Sequence, residues 1–404
     1  AHDGGSAIQS SVYSNFTTAS VKISDSTFSE HTRTEASVVK LRGAAEITDS
    51  SFSDNDGTAL NLEDGEIYKC TFTGNESPNA AGVDLTDAVL MSYSTFTNNT
   101  AEGNGGGGRV AARSIVYACE FYGNSATYGG GLYAVGNRTN TVRIDRSTFR
   151  GNTGTLRGGG IHLEVETEIS GTVVGAAVTN SIFVGNFSDH GGALSAKTSP
   201  LASPYVDIIN NTFTQNSATW HSVLYADTAR ARVSNSIIWN NDSANHDDIA
   251  SSYDIFKVEH SILEGTYANQ PGNINLDPQF LGAPDDGTDN IWGTSDDNAG
   301  SLALNDASPA IDSGVVDDSR GTPLGRDGEL RNGERVVGDA IDMGAFEDQD
   351  VPFAYIADDL LISPGDANNV VTVGPTQFDF VIKARFVEVT KDGTRLVFVQ
   401  KEIA

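Results

Sequence analysis

Cysteine is nearly absent: there are 2 among 404 residues, Cys70 and Cys119, too few for a disulfide framework or a cysteine-based zinc site. Methionine is as rare, also 2. Cations are scarce as well, with 25 Lys and Arg against 54 Asp and Glu, a formal charge of -29. A surface so acidic repels phosphate backbones and anionic headgroups, which argues against nucleic acid and membrane surfaces as partners and favours a bound cation. No apolar run approaches the roughly 20 residues that span a bilayer, and no segment sustains a 3.6-residue apolar period. The opening Ala1-His2-Asp3-Gly4-Gly5 has neither the basic nor the apolar region of a leader. Such a chain is expected outside the cell or on its surface, with its export signal already removed.

What is abundant is Gly, 43 residues, and repetition. Phe52, Phe72, Phe96, Phe121, Phe149, Phe183, Phe213 and Ile238 each precede an Asn by three positions, and weaker copies sit at Val12, Phe28 and Leu263. Ten steps carry the repeat from position 12 to position 263, about 25 residues each, the length of one solenoid rung. A Gly turn follows several anchors, as at Gly129-Gly130-Gly131-Leu132 and Gly158-Gly159-Gly160-Ile161, and short runs such as 141–145 alternate apolar with polar, the period of a strand. Stacked rungs would place Phe on Phe inside, pair Asn amides in a ladder, and use Gly where φ is positive. A leucine-rich horseshoe is the rival solenoid, but Leu is scarce. The expectation is an all-β, right-handed parallel β-helix of about 11 rungs over 1–270, an acidic loop-rich cap over 271–347, and a linker with a small β-hairpin over 348–404.

The rung register also places the cysteines. Cys70 and Cys119 each lie two residues before an anchor Phe, where Ser94, Ser147 and Ser181 stand in other rungs. With Ser94 between them they would be two rung steps apart, about 9.6 Å, beyond the roughly 7 Å that a disulfide tolerates between Cα atoms. Both are expected free and inward.

The pairing of Phe-x-x-Asn with Gly-Gly-Ala-Leu resembles the repeats of the chlamydial polymorphic outer-membrane proteins and related bacterial β-helix surface proteins. Asp277-Pro278-Gln279-Phe280, then 308–314, then 342–347 resemble the choice-of-anchor Q region that ends many such exported proteins. The resemblance implies a secreted or surface-attached β-helix and no single activity. It includes no membrane barrel here, so autotransport is not implied.

From Asp277 to Asp350 there are 18 Asp and Glu against four Arg and no Lys. The centre of this stretch brings Asp285, Asp286, Asp289, Asp296 and Asp297 into one Gly-punctuated loop. Calcium takes several carboxylate, carbonyl and water oxygens in a flexible geometry, so these five are the candidate metal residues and calcium the candidate structural cofactor, although the spacing is not that of an EF-hand. A solvated acidic loop is the plainer alternative. Further on, 378–389 and 395–400 alternate around Lys391-Asp392-Gly393-Thr394, the signature of a hairpin.

No catalytic residue is assigned. Arg138, Arg143, Arg146, Arg150, Arg157, Lys197, and His221 beside Trp220 are the groups an enzyme could use, but they form no complete set of acid, base and orienting group. The function expected is a non-catalytic extracellular structural or adhesive β-helix that self-associates, head to tail, into filaments or meets a surface glycan or a host cell-surface ligand. A calcium-dependent polysaccharide lyase or hydrolase stays open as the alternative. The motif at Asp3 to Ile8 matches that at Asp189 to Leu194, so the first rung is expected to present an open edge, which natural proteins cover or use for association.

Overall fold

The computed structural model describes residues 8–9, 20–32, 37–137, 140–166, 174–198, 205–220, 223–243, 248–251, 256–315 and 340–346, together with three strands at 370–371, 382–385 and 398–401. The chain divides into two compact units, Ala1–Gln349 and Asp350–Ala404.

In the first unit almost every strand pairs in parallel with its equivalent one repeat away. The rung anchored by Phe149 shows the plan. Leu132–Asn137 and Val142–Asp145 belong to an 18-stranded first sheet, Thr148–Arg150 to a 10-stranded second sheet, and Thr153–Arg157 to a 7-stranded third sheet, after which a Gly turn starts the next rung. This is a right-handed parallel β-helix. Ten of the eleven expected anchors, Phe28 to Leu263, occupy successive strands of the second sheet. Val12 lies outside the described residues. Rungs are numbered here from one at Phe28 to ten at Leu263.

Three columns lock the rungs. From Phe28 to Phe213 the rings stack face to face, with centroids 4.7–5.0 Å apart, each buried Phe contributing roughly 1.5–3 kcal/mol. The Asn amides form the expected ladder: Nδ2 of Asn55, Asn75, Asn99, Asn124, Asn152, Asn186 and Asn216 each donates to Oδ1 of the next, at 2.8–3.1 Å. In the third column Cys70 and Cys119 alternate with serines. Ser94 Oγ accepts from the Cys70 N–H and Ser147 Oγ from the Cys119 N–H. Both cysteines are buried and unpaired.

In the Phe149 rung the turn between the third and first sheets uses glycine: a Cβ on Gly131 would stand 2.6 Å from the Gly160 carbonyl oxygen and 2.9 Å from the Phe149 ring, whereas Ala193 and Val223 take the same place in later rungs.

The acidic segment begins on the last rung, where Ile274 pairs with Ile262 and Asn273 Oδ1 accepts from the Ser261 N–H, and then turns back. Phe280–Gly282 pairs antiparallel with Ser301–Leu304, and the ribbon they form runs back along the outer face of the second sheet. Phe280, Trp292 and Leu302 cover Ile182 and Val184, while Leu304 and Met343 cover Ile237 and Ile262. The cause is legible in the rungs: outward positions that need cover are Ile182 and Val184 on rung seven, Ile237 on rung nine and Ile262 on rung ten, whereas rungs one to four place Thr and Ser there.

In the second unit the strands 370–371, 382–385 and 398–401 form an antiparallel sheet with Ile382 opposite Lys401 and Arg385 opposite Phe398. The Lys391-Asp392-Gly393-Thr394 turn lies outside the described residues.

Candidate functional site

The candidate cations do not form one face. Arg143 is exposed. Arg146 is only 8% exposed and donates to the Tyr117 hydroxyl at 2.7 Å. Arg150 lies over the Tyr122 ring. Arg157 pairs with Asp227 at 2.7 Å and Lys197 with Glu164 at 3.9 Å. Arg138 and His221 lie outside the described residues, and Trp220 is exposed.

Arg157 marks an aromatic corner between the third and first sheets. The pairing sets Tyr128, Arg157 and His190 in one column, and Tyr133, His162, Ser195 and Tyr225 in the next. His162 is buried, 5.5 Å from the rings of both Tyr128 and Tyr133, with Nδ1 2.6 Å from Ser195 Oγ. Burial first, then the nearby Arg157 and Lys197, push its pKa down to about 3, so the imidazole is neutral at physiological pH. With Arg157 and Lys197 each held by a carboxylate, this corner is a filled brace across rungs and not an open acid-base site.

Four of the five aspartates of the ribbon serve its turns. Asp285 Oδ1 accepts from Gly287 N–H, Asp289 Oδ1 from Ile291 N–H, and Asp297 Oδ2 from Gly293 N–H. Asp296 accepts from Thr288 and Thr294, and those hydrogen bonds hold its carboxyl well below the usual range. Asp286 is half-buried beside them. Among the described residues no three His, Cys, Asp or Glu side chains are grouped so as to hold a metal ion. N–H and O–H donors surround four of these carboxylates, Asp285, Asp289, Asp296 and Asp297.

The surface that sequence reasoning missed lies on the turn between the first and second sheets. Three residues before each anchor the chain passes through the left-handed region, with φ between 46° and 57° at Asp25, Asp49, Lys69, Tyr93, Ala118, Arg146, Asn180, Asn210, Asn235 and His260. Asp and Asn tolerate that conformation, whereas a bulky side chain there is an outlier that costs about 1–2 kcal/mol. Rungs three, four and six nevertheless carry Lys69, Tyr93 and Arg146. Tyr93 packs edge to face on Tyr68 at 5.7 Å and on Tyr117 at 5.6 Å. Lys69 lies over Tyr68 and Arg146 over Tyr117. The result is a strip of three tyrosines ended by two cations, crossing four rungs, roughly 14 Å at the inter-strand spacing. Leu90 and Ile115, opposite one another on adjoining strands, are exposed beside it. The signal was present in the sequence, in the change from Asp and Asn to Lys, Tyr and Arg at one fixed offset from Phe.

Burial pushes the Cys70 thiol up to about 11 and the Cys119 thiol up to about 12, so neither supplies a nucleophile.

Residues 36–200 match the family described as the right handed beta helix region. The matched β-helix region includes both the tyrosine strip and most of the Arg157 corner. Among solved structures, the crystal structure of pectate lyase Pel9A aligns with 81% of this chain and 87% of its own, at 12% identity and a TM-score of 0.36. No curated protein matches the sequence. Among the described residues, no helix is long and apolar enough to cross a membrane.

Proposed function

We infer that this chain is a non-catalytic extracellular β-helix that works by adhesion, with Tyr68, Tyr93 and Tyr117 as its contact surface. The observation that carries the reading is Tyr93, a bulky aromatic held in a left-handed turn and half exposed. A turn that only met solvent would be served by Asp or Asn, as at Asp49 and Asn180. Strain kept at an exposed position points to a use for the side chain, and Tyr and Arg are the residues that concentrate binding energy at interfaces. The scarcity of Cys and Met and the excess of acid support an extracellular address. A polysaccharide lyase or hydrolase finds less support, because Arg157 and Lys197 are paired with carboxylates and His162 is neutral and buried.

The test is bead adhesion. Beads coated with the full chain are offered beads coated with neutral polysaccharide, with acidic polysaccharide, or with the same chain. The expected result is adhesion to at least one coat that falls about tenfold or more with Tyr93→Ala, the scale of a lost hot-spot contact, at an unchanged thermal transition. Equal adhesion by Tyr93→Ala, or release of sugar fragments from either polysaccharide, would sink the reading.

A further inference from the structure

At the left-handed turn three residues before each anchor, rungs one to four carry Asp25, Asp49, Lys69 and Tyr93 in turn. Backbone bonds join them into one stair: Asp49 N–H donates to the Tyr68 carbonyl, Lys69 N–H to the Ser92 carbonyl and Tyr93 N–H to the Tyr117 carbonyl. The first half of the stair borders a groove of about 450 Å³, lined by Asp25, Asp49 and Lys69 together with Thr27, Ser51 and Thr71. Those three hydroxyl residues stand opposite one another on the first three strands of the second sheet. The second half of the stair is the tyrosine strip, and Lys69 belongs to both, since it lines the groove and lies 5.0 Å over the Tyr68 ring. Asp25 and Asp49 are exposed, and neither carboxylate is hydrogen-bonded or ion-paired to another described residue. By contrast Asp84, Asp207 and Asp227 on the first sheet are held by Arg109, Arg232 and Arg157. The margins of the strip carry both signs, with Glu66 opposite Leu90, Arg143 opposite Ile115, Asp145 opposite Tyr117, and Arg146 buried beside Asp145. They select no charged partner.

We propose that this stair binds a neutral oligosaccharide chain lying along the axis of the coil. The proposal rests on the adhesive reading above and names its ligand. A neutral sugar chain has C–H faces and hydroxyl edges, and the stair offers a match for each. Tyr93, with Leu90 and Ile115 exposed beside it, takes the C–H face, because an aromatic side chain joins a large apolar area to a polar tip. The Asp25 and Asp49 carboxylates accept from sugar O–H groups, the hydroxyls of Thr27, Ser51 and Thr71 donate or accept, and the Lys69 ammonium donates. A few polar groups placed in this way fix the orientation of a ligand in its groove. An acidic sugar would meet two carboxylates on a chain of net charge -29, and a bare cation would meet the Lys69 ammonium. From the rung of Asp25 to that of Tyr117 there are four steps, roughly 19 Å, a length that suits a short oligosaccharide better than a single sugar.

Titration calorimetry of the full chain tests this, with soluble oligosaccharides of glucose, galactose, mannose and N-acetylglucosamine, and with oligogalacturonate as the acidic counterpart. The expected result is binding of at least one neutral series, tightening with chain length, and no binding of oligogalacturonate. Asp49→Gly removes a carboxylate and suits the φ of 48° at that turn. It should weaken neutral binding about tenfold, the scale of a hydrogen bond to a charged group, while the thermal transition stays put. Thr71→Val, which keeps the shape of the side chain at an exposed strand position, should weaken it about threefold. No binding of any neutral series, tighter binding of oligogalacturonate, or neutral binding untouched by both groove variants would overturn the proposal. Beads that adhere through Tyr93 to acidic polysaccharide or to the same chain, while no neutral sugar binds, would overturn it and leave the adhesive reading intact. Loss of bead adhesion to every coat would remove that reading as well.

Discussion

Tyr122 and Asp297 lie 175 positions apart and meet where the acidic ribbon crosses rung five, the Tyr122 hydroxyl 3.2 Å from Asp297 Oδ2. The Thr294 carbonyl is a second acceptor for that hydroxyl, and the Trp292 ring lies on Gly185, where a Cβ would stand 2.1 Å from a ring carbon. Gly185 also has φ +63°.

Gly185→Ala should therefore displace Trp292 and lift the ribbon while leaving the rungs intact. The expected outcome is a red shift of tryptophan emission and new protease cleavage within 285–300, with the far-ultraviolet β signal unchanged. Tyr122→Phe removes only a hydrogen bond and should produce a weaker form of the same change, about 1 kcal/mol.

Interior Asn side chains should be the costliest polar groups to remove. Asn124 accepts from the backbone and side chain of Asn99 and donates to the Phe96 carbonyl and to Asn152. Asn124→Ala strands buried donors and acceptors on both sides, each costing about 1–3 kcal/mol. Chemical denaturation should show a loss of several kcal/mol, larger than that for Asn241→Ala at the ladder's partly exposed end.

The thiols should be silent in the native state. With their pKa values pushed up to about 11 and 12, Cys70 and Cys119 are protonated at neutral pH, and a thiol reagent should label neither until denaturant is added. Cys119→Ser should be tolerated within about 1 kcal/mol, because Ser94 and Ser147 already fill the same column. A Cys70–Cys119 bridge found by non-reducing mass analysis would contradict the column itself.

His162 should make stability depend on pH. Its folded pKa of about 3 lies below the unfolded value of 6.5, so between the two the unfolded chain binds a proton that the folded chain refuses. Its contribution is fully present above pH 6.5 and is lost as pH falls toward 3, at up to about 1.4 kcal/mol per pH unit. Asp296 adds to the loss at lower pH, since a carboxyl held below its usual range stabilises the ribbon above about pH 4 and releases it below. Denaturation midpoints at pH 7 and pH 5 should differ less for His162→Gln than for the native chain.

The coil was legible because Phe96 and Asn99 recur with their neighbours at a fixed offset, and stacking in register is the arrangement that buries every such ring. Tyr93 escaped attention because one aromatic in a turn looks like variation until the offset shows that the turn has positive φ. The path of the ribbon was hidden for a different reason. Asp285 to Asp297 is locally what a cation loop looks like, and nothing in the sequence near Trp292 says that it lands on Gly185, over a hundred residues earlier. A run of acids shows its charge, whereas the N–H groups that answer it belong to the fold.

Every amide of the Asn ladder donates in the same direction, from the first rungs toward the last. The coil therefore has a grain, and a new rung can enter only as a whole turn facing the same way. Inserting one would move the tyrosine patch and the acidic ribbon apart in a quantum of about 4.8 Å without rotating either, whereas part of a turn would throw them onto different sides. Length in this molecule behaves as an integer, and any geometry built by joining copies would inherit that counting.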